Sequence, residues 1–177
     1  MGNKLKSNHD QDENNNFVFS KEELKILYEN FVGLDANETG QLEYDDLLSV
    51  PELSKNPILK RVIRIFDLND DGKLSFYEFI NGLSIFADNL SDNYTKLEFV
   101  FKIYDNDEDG YISNGDLFKT IKLLIGNNLT NNHLQQMVDR TIVLADKDLD
   151  GKISFDEFCD FVQDVQIYDL FSMNLFL

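Results

Sequence analysis

Four stretches of this chain place oxygen-bearing side chains at the same offsets. The clearest carries Asp146, Asp148, Asp150 and Glu157 at positions 1, 3, 5 and 12, with Gly151 at position 6 and Ile153 at position 8. A second carries Asp67, Asn69, Asp71 and Glu78 around Gly72 and Leu74. A third carries Asp105, Asp107, Asp109 and Asp116 around Gly110 and Ile112, and the first in the chain carries Asp35, Asn37, Thr39 and Asp46 around Gly40 and Leu42. Oxygens so spaced converge when the chain wraps around a hard divalent cation, and calcium takes six to eight of them at roughly 2.3–2.6 Å. Position 7 gives a backbone carbonyl, so Gln41, Lys73, Tyr111 and Lys152 are ligand positions whose side chains are free to vary. Position 6 turns sharply with positive φ, which selects glycine.

This is the EF-hand calcium loop, and each loop must lie between two helices. A single helix–loop–helix leaves an apolar face uncovered, so the loops pair, 1 with 2 and 3 with 4. The expected fold is all-α: four EF-hands in two lobes, each pair joined by a short two-stranded antiparallel link. Leu42 is expected opposite Leu74, and Ile112 opposite Ile153. Up to four Ca2+ ions are implied. Loops 2 and 4 end in Glu, which can bind with both oxygens. Loops 1 and 3 end in Asp, one methylene shorter, which suits Mg2+ and weakens Ca2+. Carboxylates at positions 1, 3, 5 and 12 number four in loops 4 and 3, three in loop 2 and two in loop 1. The expected affinity order is loop 4, then 2 and 3 together, then 1.

The formal charge of −17 comes from 33 acids against 16 bases, and nineteen of those acids lie in the four loops. Filling every loop leaves −9, so the acidity is mostly ligand chemistry and argues against nucleic-acid binding. The cation-free chain should be looser, because clustered carboxylates repel. Cys159 is the one cysteine, so no internal disulfide is available, and it reads as a small core residue. His9 and His133 lie far apart, and no nucleophile–base set is present, so an enzyme is not expected. No run is apolar for long enough to span a membrane, and no secretory signal is visible.

Residues 1–16 read as a flexible polar arm, 17–90 as the N-terminal pair, 91–165 as the C-terminal pair and 166–177 as an apolar tail. Order is expected from Phe17. Ser20 with Glu23 forms a capping-box signature for the first helix. The helix after loop 1 should stop near Pro51. Asn56-Pro57 then reads as the N-cap and first position of a helix over 58–66. Phe76, Phe79, Ile80, Leu83 and Phe86 give the next helix its apolar side. A break at Asn89 to Asp92, with Ser91 as a cap, separates the lobes. A helix over 94–104 follows, bearing Leu97, Phe99, Val100, Phe101 and Ile103. After loop 3, Leu117, Phe118, Ile121, Leu124 and Ile125 share one side until Gly126-Asn127, and Thr130 opens the next helix.

From about Phe31 to about Cys159 the chain resembles the calcineurin B family, the regulatory subunit of a calcium-dependent protein phosphatase. The resemblance rests on Asp109-Gly-Tyr-Ile-Ser-Asn-Gly115, Ile125-Gly-Asn-Asn-Leu129, Ala145-Asp-Lys-Asp148, Ile153-Ser-Phe155 through Glu157-Phe-Cys159, Ser49-Val-Pro-Glu-Leu53 and Asn56-Pro57. It implies a non-catalytic partner that holds an amphipathic helix of the calcineurin catalytic subunit in a hydrophobic groove. It also implies a second surface for substrate docking motifs and immunophilin–drug complexes, at the positions matching Leu124, Asn128 and Leu129. Fifteen Phe against three Met fits one dedicated partner better than a promiscuous groove.

The chain departs from that family in three places. Met1-Gly2-Asn3-Lys4-Leu5-Lys6-Ser7 keeps the family's Gly2 for N-myristoylation, but Lys6 stands where a hydroxyl is preferred. Lys4 and Lys6 would favour an anionic leaflet, so a cytoplasmic chain partly on membranes is expected. Asp116 replaces Glu in loop 3. The segment from Val165 onward is strongly apolar and is expected either to cover the partner groove or its bound helix, or to be a sticky end protected only in a complex. A free-standing myristoylated sensor, a calcineurin B-like protein serving another partner, and a calcium buffer are the competing readings.

Overall fold

A computed structural model describes residues 18–87 and 93–165. The segment with Gly2, Lys4, Lys6 and Phe17, the break with Ser91, and the tail 166–177 lie outside the described residues. Helix α1 (Lys21–Leu34) opens with the expected capping box: the Ser20 hydroxyl accepts the Glu23 N–H at 3.3 Å, and the Ser20 N–H donates to Glu23 Oε2 at 2.7 Å. Strand β1 (Gln41–Leu42) leads into α2 (Tyr44–Leu48), then α3 (Pro51–Ser54) and α4 (Leu59–Phe66). Strand β2 (Leu74–Ser75) leads into α5 (Phe76–Ser84). The second half runs α6 (Asn93–Tyr104), β3 (Tyr111–Ser113), α7 (Asn114–Ile125), α8 (Asn131–Ala145), β4 (Lys152–Ser154) and α9 (Phe155–Val165).

The strands pair antiparallel as β1 with β2 and β3 with β4. The register puts Leu42 opposite Leu74 and Ile112 opposite Ile153. All four of these side chains are buried, so position 8 serves as both strand residue and core residue. Three details differ from the sequence reading. Asn56 accepts the Ile58 N–H at 3.0 Å, but a turn intervenes and the helix starts at Leu59. Phe86 lies past the end of α5, yet still packs on the N-terminal core. Leu124 leaves the apolar side of α7 and is exposed, whereas Leu117 is buried and Phe118, Ile121 and Ile125 pack on the core. Gly126 ends α7 at φ 61°, and Thr130 caps α8 by accepting the His133 N–H at 3.3 Å.

Helix α6 serves both halves. Its Leu97, Phe101 and Tyr104 sit in the C-terminal core with Ile112, Val138 and Phe158. Its Phe99 and Ile103 sit in the N-terminal core with Phe31, Ile63 and Phe66. The Phe99 ring meets Phe86 edge-on at 5.2 Å and Phe66 at 5.9 Å. A helix apolar on opposite sides is one buried between two layers.

Candidate metal centres

Each loop begins at the end of one helix and finishes inside the first turn of the next. Asp35, Asp67, Asp105 and Asp146 each follow the last residue of an entering helix, and each N–H still reaches back to a helical carbonyl at 2.9–3.1 Å. Their carboxylates then turn into the loop. In every loop the position-1 carboxylate accepts the N–H of the position-6 glycine: Gly40 at 2.7 Å, Gly72 at 2.8 Å, Gly110 at 3.1 Å and Gly151 at 2.8 Å. These glycines have φ between 78° and 88°. Position 4 is left-handed as well, though it is never glycine: Glu38, Asp70, Glu108 and Leu149 have φ 52–65°. No residue preference marked that position in the sequence, because only the closed loop demands it.

Position 12 completes the loop and caps the exiting helix at once. Glu78 Oε2 accepts the Ser75 N–H at 2.9 Å and the Ser75 hydroxyl at 2.7 Å. Glu157 Oε2 does the same with Ser154, at 2.8 and 2.7 Å. The second oxygen of each Glu crosses the loop. Glu78 Oε1 accepts the Leu68 N–H at 3.1 Å, and Glu157 Oε1 accepts those of Lys147 at 2.7 Å and Asp148 at 3.3 Å. The Asp residues stop short. Asp116 accepts the Ser113 N–H and hydroxyl, and Asp46 accepts the Glu43 N–H at 2.8 Å, but among the described residues neither crosses its loop. One methylene of reach separates the two classes.

Carboxylate oxygens of Asp146, Asp148 and Glu157 lie within 4.8 Å of one another, as do those of Asp105, Asp107 and Asp109. Asp116 is not in the latter group. Asp150 Oδ1 accepts the Lys152 N–H at 2.8 Å, holding the position-7 peptide in the turn. In loop 2, Asn69 and Asp67 both accept the Asp71 N–H, and Asp71 accepts that of Lys73. Loop 1 is closed on itself: the Thr39 hydroxyl donates to the Gln41 carbonyl at 2.8 Å, so the side chain at position 5 occupies the carbonyl at position 7. Asn37 makes no side-chain bond of this kind among the described residues.

The electrostatics follow from burial without counter-charge. Seven acids are buried among the described residues: Asp35, Asp46, Glu78, Asp105, Asp116, Asp146 and Glu157. All are position 1 or position 12 of a loop, and none is paired with a Lys or Arg there. Asp105 Oδ1 is buried with no hydrogen-bond partner, and burial pushes its carboxyl up. Burial would also raise Glu157, but the N–H and hydroxyl of Ser154 with the N–H groups of Lys147 and Asp148 bring it down to about 2. Asp148 is raised despite the Asp150 N–H it accepts, by partial desolvation and by the charges of Asp150, Glu157 and Asp146. A buried charge is costly unless a counter-charge or a metal meets it. The donor set, all carboxylate, amide, hydroxyl and carbonyl oxygen, fits a hard divalent cation.

Two lysines at position 7 reach the partner loop. Lys152 Nζ lies 2.7 Å from Asp109 Oδ2 and 5.2 Å from the centre of the Tyr111 ring, and Lys73 Nζ lies 2.9 Å from Glu43 Oε1. Register carries both across the ladder, and position 7 is too variable for sequence to mark them. Of the residues matched to a docking surface, Leu124 and Asn128 are exposed and Leu129 is half-buried. Cys159 is half-buried against the C-terminal core, with its thiol pushed up by that burial.

Two family profiles, each described as an EF-hand domain pair, match residues 18–83 and 94–163. A calcineurin B of Naegleria gruberi is 54% identical over 140 residues, covering 79% of this chain and 78% of the relative. The chain belongs to the calcineurin B family. Human calcineurin B type 2 is 49% identical over 150 residues, covering 85% of this chain and 88% of its own. The calcineurin B of Yarrowia lipolytica is 47% identical over 158 residues, covering 89% and 91%. This calcineurin B family member is thus an EF-hand calcium-binding chain, with one EF-hand pair matched in each half. Among the described residues no helix is long and apolar enough to cross a membrane.

Proposed function

We propose that the chain is the calcium-binding regulatory subunit of a calcineurin-type phosphatase. It seats an amphipathic helix of the catalytic subunit in a hydrophobic groove and makes that enzyme's activity respond to calcium, with no catalytic group of its own. The observation that carries the calcium half is the set of seven buried acids, every one at a loop terminus and none with its carboxylate in an ion pair with Lys or Arg among the described residues. Calcium, when bound, supplies the missing positive charge. The residues that would hold it are the side chains of Asp35, Asn37, Thr39 and Asp46; Asp67, Asn69, Asp71 and Glu78; Asp105, Asp107, Asp109 and Asp116; and Asp146, Asp148, Asp150 and Glu157, with the carbonyls of Gln41, Lys73, Tyr111 and Lys152. The reach of Glu78 and Glu157 favours calcium at loops 2 and 4. The short Asp46 and Asp116 leave loops 1 and 3 open to Mg2+.

Apolar side chains left uncovered support the helix-binding half. On α1, Ile26, Tyr28 and Val32 are each more than half exposed, and Leu123, Leu124, Met137 and Leu144 are exposed on α7 and α8. Kinship supplies the partner: the relatives are calcineurin B chains. Leu124, Asn128 and Leu129 are proposed to meet substrate docking motifs or immunophilin–drug complexes in the heterodimer, and Gly2 to carry the lipid of a cytoplasmic, partly membrane-held chain. The test is co-elution of the full chain with a synthetic B-binding helix of a calcineurin catalytic subunit, in calcium and then in chelator. A stoichiometric complex in calcium supports the reading. A folded chain that ignores the helix refutes it and favours a free-standing sensor.

A further inference from the structure

Loop 3 is held from outside its own lobe. The side chain of Arg61, in the first turn of α4, is only 11% exposed. Its Nε and one terminal nitrogen donate to the Lys102 carbonyl at 3.0 and 2.7 Å. The same terminal nitrogen donates to the Asp105 carbonyl. Its other terminal nitrogen reaches Glu108 Oε1 at 3.1 Å, and Arg64 Nε reaches that same oxygen at 3.1 Å. Every acceptor lies on the last turn of α6 or in the first four positions of loop 3. Carbonyls at a helix C-terminus have no partner within the helix, and a cation there also meets the negative end of the helix dipole.

The consequence concerns where ligands point. Fixing the Asp105 carbonyl fixes the peptide plane beside the Cα from which the position-1 carboxylate springs, and that carboxylate has one buried oxygen without a partner. Glu108 sits at the left-handed position 4, with φ 61°, pinned by two guanidinium groups. Helix α4 runs directly into Asp67, the first ligand position of loop 2, whose N–H bonds to Ile63 O at 2.9 Å. One short helix therefore carries the start of loop 2 at its C-terminal tip and the clamp on loop 3 in its first turn. Phe66 against Phe99 continues the same junction.

We propose that Arg61 is a positioning residue for the third cation site, lent by the N-terminal lobe, and that through α4 it makes loops 2 and 3 fill as a coupled pair. This rests on the reading of the loops as calcium sites. Charge and geometry predict opposite signs. A guanidinium beside a cation site repels the cation, so charge alone would make its removal tighten loop 3. Positioning makes its removal weaken loop 3, and a lysine, which keeps the charge and loses the planar fork, fails to restore it.

The experiment is a calcium titration of the 15N-labelled full chain, with Arg61→Gln and Arg61→Lys alongside, following the amides of Gly72, Gly110 and Gly151. Each glycine N–H donates to the position-1 carboxylate of its own loop and so reports that loop. The expected result is about a tenfold higher midpoint at Gly110 in both variants, within the usual range of site coupling. Gly72 should move in the same direction and Gly151 by less than about twofold. An unchanged or lower Gly110 midpoint in Arg61→Gln overturns the proposal, as does a Gly72 that stays fixed or a uniform loss at all three. If no glycine responds in the unaltered chain, the calcium reading itself fails, and that outcome is distinct from the others.

Discussion

At the scale of the residue, one methylene separates the loops. Glu78 and Glu157 cap a helix with one oxygen and cross the loop with the other, whereas Asp46 and Asp116 cap and stop. Replacing Glu157 with Gln removes the charge and half the carboxylate while leaving the size, and should weaken calcium at loop 4 on the order of 100-fold. Calorimetry in which the tightest binding phase persists in the variant would contradict this ranking. The same carboxyl gives a pH signature in the absence of calcium. Its folded pKa is about 2, below the ordinary 4.5, so between those values the unfolded chain holds more of its proton. The stabilisation is complete above about 4.5 and is lost as pH falls through about 2. Urea unfolding in chelator should therefore show the unaltered chain losing its advantage over Glu157→Gln across that window. A difference that does not change with pH would refute the assignment.

At the scale of the element, α4, α5 and α6 are locked by a glycine the loop pattern did not mark. A Cβ on Gly82 would lie 2.3–2.5 Å from the Phe66 ring, whose other neighbours include Phe99. Gly82→Ala should cost about 1–3 kcal/mol despite the better helix propensity of alanine, because the ring has to move within a packed core. Thermal unfolding in calcium tests this; a variant as stable as the parent would mean that the ring relocates freely. Some caps were legible at this scale, Ser20 and Thr130 among them, and others were not singled out. Ser20 with Glu23 stood in the sequence as a capping box, and Ser75, Ser113 and Ser154 prove to cap the helices leaving their loops. Element ends were less legible: Asn56-Pro57 marks a turn one step before the helix, since Pro57 and Ile58 adopt that turn before Leu59 begins regular bonding.

At the scale of the whole molecule, the acidity and the core oppose each other. Seven buried carboxylates must be solvated by the protein alone when no cation is bound, so calcium removal should lower the melting temperature by well over 10 °C, since ligand at about 1,000 times its Kd contributes about 4 kcal/mol per site. Calorimetric scans in calcium and in chelator that coincide would contradict this. Partial opening under chelation should be felt in both halves, because α6 belongs to both cores and Arg61 ties α4 to its end.

The spacing of acids, glycines and position-8 apolar residues determined by itself the loops, their pairing and the register of Leu42 with Leu74 and Ile112 with Ile153. These are local demands: a cage of oxygens and a sharp turn admit few residue types at fixed offsets. The tertiary structure alone decided which oxygens of those acids reach across a loop, that Thr39 closes loop 1 on Gln41, and that Leu124 faces outward while its neighbours on α7 pack inward. It also decided that Arg61 clamps a loop more than forty residues away in the chain. An arginine on an amphipathic helix carries no mark of its partners, because three of its four bonds go to the backbone carbonyls of Lys102 and Asp105, and every residue possesses a carbonyl that only the packing of α4 on α6 selects.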